Sequence, residues 1–155
     1  MTSVKLFLEE FTYDPETGAI NDTSGRVRFN TAALSGYRVG GFKGKTYYAH
    51  RVAWLLHYGD WPCGEVDHID RSRDNNAICN LRIASKSQNN CNKISATRST
   101  SGMKGVSKHS RRNLWMARIS LNGTRKLIGY YKTPEEASEA YKAEADRIHG
   151  EFACY

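Results

Sequence analysis

Residues 65 to 90 decide the fold, and they read EVDHIDRSRDNNAICNLRIASKSQNN. Near both ends of this stretch apolar residues alternate with polar ones, which is typical of two short strands joined by a long turn. Ser85 and Gln88 then form a capping-box pattern, which predicts a helix beginning near residue 86. The stretch therefore predicts the order strand, long turn, strand, helix.

Three polar side chains of this stretch can meet at one site. Asn89 falls in the first or second turn of the predicted helix, where it can lean over the hairpin that carries Asp67 and His68. Adjacent residues of a regular strand point to opposite faces, so a shared site requires the chain to leave strand geometry there. A carboxylate and an amide oxygen suit Mg²⁺ or Mn²⁺, and a neutral imidazole can take a proton from water. The pattern indicates hydrolysis assisted by one divalent ion.

The stretch resembles the HNH endonucleases of phages and mobile introns, whose ββα-metal motif begins with Asp-His and ends near Asn-Asn. The matching segments are residues 66–70, Asn80-Leu81 and residues 88–90, with residues 49–54 and 59–62 resembling the segment before the motif. The resemblance implies that Asp67 and Asn89 bind the metal and that His68 is the general base. It also implies that Asn80 braces the hairpin and orients the histidine.

The third letter of the motif name is filled by asparagine rather than histidine. Because an amide oxygen is a hard ligand, the resemblance implies one Mg²⁺ or Mn²⁺ ion and argues against tightly held zinc. Whether Asn89 or Asn90 is the ligand stays open. The four cysteines, Cys63, Cys79, Cys91 and Cys154, are scattered singly, so free thiols are expected unless the first three converge in space.

Positive charge is concentrated in one part of the chain. The net charge is +7, and no acidic residue occurs between Asp74 and Glu135. The basic residues of that interval are Arg82, Lys86, Lys93, Arg98, Lys104, Lys108, Arg111, Arg112, Arg118, Arg125, Lys126 and Lys132. Such a stretch attracts a phosphate backbone and predicts a nucleic-acid partner, with a solvated basic face as the alternative.

The C-terminal third predicts a small sheet and one helix. Strands are expected at 105–108, 114–121 and 126–131, with Asn122-Gly123 as a tight turn. Thr133-Pro134-Glu135-Glu136 supplies an N-cap, a proline and two acids, which predicts a helix running to about residue 148.

Residues 103–153 resemble the DNA-binding domain of plant ethylene-response factors, a three-stranded sheet packed on a helix. The matching segments are Gly105-Val106, residues 115–119, residues 127–131 and residues 133–150. In that family the sheet enters the major groove, which implies DNA contacts by Arg111, Arg118, Arg125 and Lys126.

Three positions depart from that pattern. Ser107 and His109 stand where the plant domains have two arginines, and Leu127 stands where they have a tryptophan. The target sequence of those domains therefore does not transfer. Trp115 has two interpretations of equal weight, a core residue or a base contact.

The predicted fold class is α+β, in two domains. Residues 1–92 form the nuclease domain, 93–102 a polar linker and 103–155 the DNA-binding domain. The nuclease domain begins with β-hairpins around residues 11–20 and 36–49, followed by a helix over residues 50–58 whose histidines are expected to be packed or capping. The ββα motif follows this helix.

The sequence predicts no membrane segment and a cytoplasmic location. The opening residues lack a secretory cleavage pattern, and no apolar stretch approaches the roughly 20 residues of a spanning helix. The leading function is a metal-dependent endonuclease that cuts duplex DNA, nicking one strand as a monomer, although a dimer could cut both strands. The alternative is a non-catalytic DNA-binding regulator. An RNA-binding protein or ribonuclease is disfavoured, because the sheet lacks the aromatic stacking motif of common RNA modules.

Overall fold

The computed structural model of the chain describes residues 4–92, 101–121 and 123–155. Helices and small antiparallel sheets are mixed throughout these residues, which confirms the α+β class. The chain divides into two compact units, Met1–Ser85 and Lys86–Tyr155. Most of the predicted linker, residues 93–100, lies outside the described residues. None of the helices in the described ranges has the length and apolar character needed to cross a membrane.

The first unit opens with a short helix and two three-stranded antiparallel sheets. Its elements are α1 (Val4–Glu10), β1 (Phe11–Tyr13), β2 (Ile20–Asp22), β3 (Val27–Arg28), β4 (Thr31–Ala32), β5 (Arg38–Phe42), β6 (Lys45–Tyr48) and α2 (Ala49–Tyr58). The strand orders are β1-β2-β3 and β4-β5-β6. Both predicted hairpins are present, and α2 is the helix predicted over residues 50–58, whereas α1, β3 and β4 were not predicted.

The β1–β2 turn packs against the loop that later carries the site. The Asp14 carboxylate accepts hydrogen bonds from the Glu16 amide at 3.0 Å and the Thr17 hydroxyl at 2.6 Å. Gly18 closes the turn with φ of 77°, and a Cβ there would lie 2.5 Å from the backbone carbonyl carbon of Asn76. Glycine is therefore needed both for the left-handed backbone and for the close approach.

The core of the first unit is built around one fully buried aromatic ring. Phe7 of α1 is 0% exposed. Its ring centroid lies 4.8 Å from that of Phe42, 5.1 Å from Tyr47 and 5.2 Å from Trp61. Because α2 contributes Val52 and other apolar residues to the same core, α1 joins the sheets and α2 in one cluster.

The predicted ββ hairpin lies at the end of the first unit. Strands β7 (Glu65–His68) and β8 (Leu81–Ala84) pair antiparallel, and the long loop between them ends in one turn of 3₁₀ helix, Ile78–Asn80. Val66 and Leu81 are buried in the core described above. The hairpin is thereby fixed to the body of the unit while its loop carries the polar residues.

The second unit has the predicted sheet and helix. Its elements are α3 (Lys86–Asn92), β9 (Val106–Lys108), β10 (Trp115–Leu121), β11 (Thr124–Tyr131) and α4 (Pro134–His149). The strand order is β11-β10-β9, and α4 packs on one face. Thr133 is the N-cap of α4, as the sequence indicated, and it forms a reciprocal capping box with Glu136. Asn122 of the predicted tight turn lies outside the described residues.

The second core lies between α4 and the sheet. Its buried members are Val106, Ala117, Ile119, Ala137, Tyr141 and Ala145. Trp115 is partly buried and packs against this core, which favours the first of its two interpretations. Gly105 has φ of 74°, and a Cβ there would overlap the ring of Tyr141, so glycine lets the strand approach the helix.

Candidate active site

Strand β7 places Asp67 and His68 next to each other at the buried end of the hairpin. Asp67 is 5% exposed and His68 is 4% exposed. Asp67 pairs with Arg82 across the strands and His68 pairs with Leu81, so the strand is regular through both residues. The departure from strand geometry that a shared site requires does not occur at these two residues. The two side chains therefore leave opposite faces of the hairpin.

The carboxylate of Asp67 forms a buried ion pair with Arg82. Nε and Nη2 of Arg82 lie 3.0 and 2.9 Å from Oδ2 of Asp67. The side chains of Arg82 and Asp67 are only 11% and 6% exposed, so neither charge is well solvated. The guanidinium thus balances the carboxylate inside the hairpin and fixes its orientation.

We expect Arg82→Ala to lower the free energy of unfolding of the first unit by about 3–5 kcal/mol. The substitution leaves the buried carboxylate of Asp67 without its guanidinium. Chemical denaturation followed by the fluorescence of Trp54 and Trp61, which both lie in the first unit, measures the change.

Arg28→Ala is the matched control. Arg28 lies 3.3 Å from Asp22, but its side chain is 40% exposed, so its loss should cost about 0–1 kcal/mol. Equal losses in the two variants would show that the Asp67 pair has no special importance for stability.

His68 is held on one edge by an amide and bordered by aromatic rings. Its Nε2 lies 3.1 Å from Oδ1 of Asn76. Ring centroids of His50 and Tyr37 lie 5.2 and 5.8 Å from that of His68. Burial lowers the pKa of His68 below its usual value, although the bond to Asn76 and the charge of Asp70 oppose the shift. The imidazole is therefore neutral at pH 7, as a general base must be.

His50 is a packed, neutral histidine, in line with the prediction for this helix. Its ring stacks on Tyr48 with centroids 5.4 Å apart. Burial first, and then the charges of His68 and Arg51, lower its pKa to about 3. Its buried Nδ1 has no hydrogen-bond partner among the residues that the structure describes. His50 thus borders the site without carrying charge into it.

Asn80 ties together the two ends of the loop between β7 and β8. Its Oδ1 accepts from the Asp70 amide at 2.9 Å, and its Nδ2 donates to the Asp70 carboxylate at 2.9 Å and to the Asn75 carbonyl at 2.8 Å. These bonds brace the loop that follows His68. The bond to the imidazole of His68 comes from Asn76, a residue that sequence reasoning did not single out.

The proposed metal ligands lie in different units. Asn89 lies in α3 and is half-buried, and α3 is grouped with the second unit. Its pairing with Asp67 therefore stays a prediction. Within residues 4–92, 101–121 and 123–155, no three His, Cys, Asp or Glu side chains form a metal-binding group. A site made of one carboxylate, one amide and water needs no such group.

The cysteines bear on the question of zinc. Cys63 and Cys79 are both exposed free thiols, and Cys154 is buried. The side chain of Cys91 lies outside what the structure describes, so the convergence of the first three stays untested. Asp67 with an amide oxygen remains the ligand set that the residues favour.

Two of the four predicted DNA-contacting residues share the open face of the second sheet. Arg118 lies opposite Leu127, and Arg125 lies opposite Ser120, and residues paired in this way project from the same face. Lys126 lies opposite buried Ile119 on the helix-covered face. Its Nζ lies 3.6 Å from the carboxylate of Glu144 in α4.

The fourth residue, Arg111, lies in the loop between β9 and β10. Its backbone amide donates to Nδ1 of His109 at 3.1 Å. The ring of His109 in turn packs against Tyr130 of β11, with centroids 5.5 Å apart. Arg111 is thus exposed beside the sheet and outside its strands.

Comparison with known proteins identifies the segment that contains the hairpin. Residues 47–91 match the family model described as HNH endonuclease. The chain is 30% identical over 105 residues to Protein 3.8 of Escherichia phage T7, covering 67% of this chain and 86% of that protein. It is 37% identical over 120 residues to the uncharacterized HNH endonuclease L560 of Acanthamoeba polyphaga mimivirus. The chain belongs to the HNH endonuclease family.

The alignments with HNH proteins cover different shares of this chain and of the proteins that it matches. The alignment with the mimivirus HNH protein includes 77% of this chain but only 62% of that relative. A solved structure on DNA binding and cleavage by the HNH homing endonuclease I-HmuI aligns with 96% of this chain and 90% of its own, with a TM-score of 0.49 and 22% identity. The family model covers the end of β6, α2, the hairpin and α3 up to Cys91. This span includes the predicted site residues Asp67, His68, Asn80 and Asn89.

Proposed function

We propose that this chain is a metal-dependent endonuclease that hydrolyses phosphodiester bonds in duplex DNA. The observation that carries the proposal is the buried imidazole of His68, whose pKa is lowered by burial, next to buried Asp67 in the hairpin of an HNH family member. One group can take a proton and its neighbour can hold a cation, which are the two requirements of this hydrolysis.

His68 acts as the general base. Its neutral ring takes a proton from the attacking water, and the resulting hydroxide forms the new bond to phosphorus. Asn80 keeps the loop after His68 in one conformation through its bonds to Asp70 and Asn75. The fixed loop holds the ring of His68 in place before the substrate arrives. The entropy cost of ordering the ring is therefore not added to the barrier of the reaction.

Asp67 and Asn89 would hold the divalent ion in this proposal. The carboxylate of Asp67 has two oxygens with several acceptor positions, so Oδ2 can keep Arg82 while the group still coordinates a cation. Mg²⁺ and Mn²⁺ both suit this oxygen ligand set. When bound, such an ion offsets charge on the cleaved phosphate and its leaving oxygen.

In an in-line displacement the water attacks from the side opposite the leaving oxygen. In the proposed reaction the imidazole of His68 serves the side of the water, and the ion on Asp67 would serve the side of the leaving oxygen. Because the regular strand directs the two side chains to opposite faces, this reaction requires the end of β7 to change its geometry when DNA binds.

The second unit binds the duplex, in our proposal, in the manner of an ethylene-response-factor domain. All of the net charge lies there, because residues 1–85 have ten basic and ten acidic residues whereas residues 86–155 have thirteen and six. The open face of its sheet carries Arg118 and Arg125. A basic strand surface of this size can enter the major groove and contact phosphates and base edges.

We expect the double variant Arg118→Ala, Arg125→Ala to bind duplex DNA more weakly and with a smaller dependence on salt. Each lost phosphate contact reduces the slope of log K against log salt by about 0.9, so the slope should fall by roughly 2. Fluorescence anisotropy with a labelled duplex, without divalent ions and across a range of salt, measures both changes.

Arg147→Ala is the control for this experiment. Arg147 is an exposed arginine of α4 whose guanidinium lies 2.7 Å from Glu144, so its removal should leave the slope unchanged. Lys126→Ala should also leave it unchanged, because Lys126 lies on the helix-covered face. A slope that drops equally in all three variants would assign binding to net charge and not to the open face.

Supercoiled plasmid tests the proposed reaction. We expect the purified chain to convert it to the open-circular form with Mg²⁺ or Mn²⁺, because one His68 serves each chain and a monomer therefore cuts one strand. Linear product in the first turnover would indicate a dimer instead. A plasmid left uncut with both ions and at all salt concentrations would refute the nuclease and favour a DNA-binding regulator.

We also propose that the protein acts in the cytoplasm of an infected host. The support is that the two relatives described above come from a phage and a mimivirus. A fluorescent fusion expressed in a host, compared with one carrying an exported tag, tests the location.

A further inference from the structure

A buried amide next to the proposed base has no role in the mechanism described so far. Asn76 is 5% exposed and lies in the loop between β7 and β8. Its Oδ1 lies 3.1 Å from Nε2 of His68, which is itself 4% exposed. A bond between two such buried polar groups is costly to disrupt, so it defines the orientation of both.

The second bond of the Asn76 side chain shows which end of the amide faces the histidine. Nδ2 donates to the carbonyl oxygen of Asp74 at 3.2 Å. A carbonyl only accepts, so an amide rotated by 180° would place two oxygens against each other there. Oδ1 therefore faces His68, and Nε2 of His68 must donate the hydrogen bond.

The backbone of Asn76 is held by the N-terminal hairpin. The Tyr13 hydroxyl donates to the Asn76 carbonyl at 2.8 Å. The Ile78 amide donates to the Pro15 carbonyl at 2.9 Å, and Gly18 packs directly against the Asn76 backbone. The acceptor offered to His68 thus sits on a rigid support from a distant part of the chain.

We propose that Asn76 is a positioning residue that keeps the proton of neutral His68 on Nε2 and thereby makes Nδ1 the basic nitrogen. This inference rests on the proposed function for its catalytic meaning, but the position of the proton is a property of the chain without substrate or metal. Asn80, by contrast, orders the loop through Asp70 and Asn75 and does not define the tautomer.

The reaction then proceeds with one defined nitrogen. A water proton passes to Nδ1, the oxygen lone pair forms the bond to phosphorus, and the ester oxygen leaves with its bonding pair and takes a proton from solvent. The imidazolium that forms continues to donate its Nε2–H to the amide oxygen of Asn76. This hydrogen bond is charge-assisted and strengthens as positive charge develops on the ring.

Long-range ¹H–¹⁵N correlation spectra of the full chain without divalent ions, at pH 7, test the proposal. The His68 signal is identified by its loss in His68→Gln. We expect the Nε2-protonated pattern in the wild type. In Asn76→Leu, which removes the acceptor at similar volume, we expect a mixture of tautomers or the Nδ1-protonated form.

Asn75→Leu is the matched control. Asn75 is the neighbouring amide and bonds to Asp70, so its loss should leave the His68 tautomer unchanged. In plasmid cutting, Asn76→Leu should lower kcat by about 10- to 100-fold with little change in KM.

The outcomes separate this proposal from the proposed function. Nδ1-protonated His68 in the wild type, or an unchanged tautomer in folded Asn76→Leu, overturns the role of Asn76 whether or not the plasmid is cut. The expected tautomers with an uncut plasmid would instead retain the positioning role and overturn the nuclease. The wild-type spectrum decides the matter alone if Asn76→Leu does not fold.

Discussion

His68→Ala should abolish plasmid cutting, with a loss of about 10²- to 10⁴-fold in the rate at saturating divalent ion. Alanine removes the only group placed to accept the water proton in this proposal. Affinity for duplex DNA should stay within about twofold, because the basic residues of the second unit are unchanged. Single-turnover cutting and anisotropy on the same preparation measure both quantities.

His57→Ala is the control for this variant. His57 lies on α2 and is exposed, and its ring packs on Tyr58 with centroids 4.6 Å apart. Its removal takes away one imidazole and leaves the hairpin intact, so cutting should be unchanged. A His68→Ala chain that keeps more than about a tenth of the wild-type rate would remove His68 from the role of base.

The largest effect on stability is expected for Phe7→Ala. The ring is fully buried and five aromatic neighbours surround it, so its loss leaves a cavity in the core that joins α1, α2 and the sheets. Truncation of a buried phenylalanine costs about 3–5 kcal/mol, a large share of the stability of a small domain. Urea denaturation followed by Trp54 and Trp61 fluorescence measures the loss in the first unit.

Leu8→Ala provides the comparison within the same helix. Leu8 is 48% exposed, so its truncation should change the free energy of unfolding by no more than about 0.5 kcal/mol. If Phe7→Ala and Leu8→Ala destabilise the unit equally, α1 is not part of the core. Cutting by Phe7→Ala at low temperature should persist, because the close ring neighbours of Phe7 are core residues, namely Phe42, Tyr47 and Trp61.

Features that depend on local residue patterns could be predicted without a structure. The β1–β2 turn, the β5–β6 turn, helix α2 and the sheet with α4 all follow from local residue preferences and hydrophobic spacing. The Asp-His pair and the following Asn-Leu also carried the family without any distance information. These features depend on neighbours in sequence, for which residue type is sufficient.

Helix α1 shows where this reading fails. It has only seven residues, of which Phe7 alone is buried. One buried position cannot establish a helical period, so the segment has no pattern to detect. Its packing against Phe42, Tyr47 and Trp61 comes from residues 35 to 54 positions away, which local preferences do not encode.

The second sheet shows a similar limit. Arg125 and Lys126 are adjacent and both carry a positive charge, and both were predicted from the sequence to contact DNA. In a strand only one of two neighbours can share the face of Arg118, and the register shift after Ala117 means that simple counting along the strands does not identify it. The observed strand pairing places Arg125, and not Lys126, on the face of Arg118.

By itself the sequence determined the α+β class, the order of the main elements and the HNH family, because turn residues, capping residues and the motif are local chemical signals. Tertiary structure decided that Arg82 pairs with Asp67, that Asn76 and not Asn80 meets His68, and that a hairpin from residues 11–22 supports Asn76. The loop has three asparagines, and they are chemically identical. Only the folded chain, through hydrogen bonds between residues distant in sequence, gives each of them a different partner.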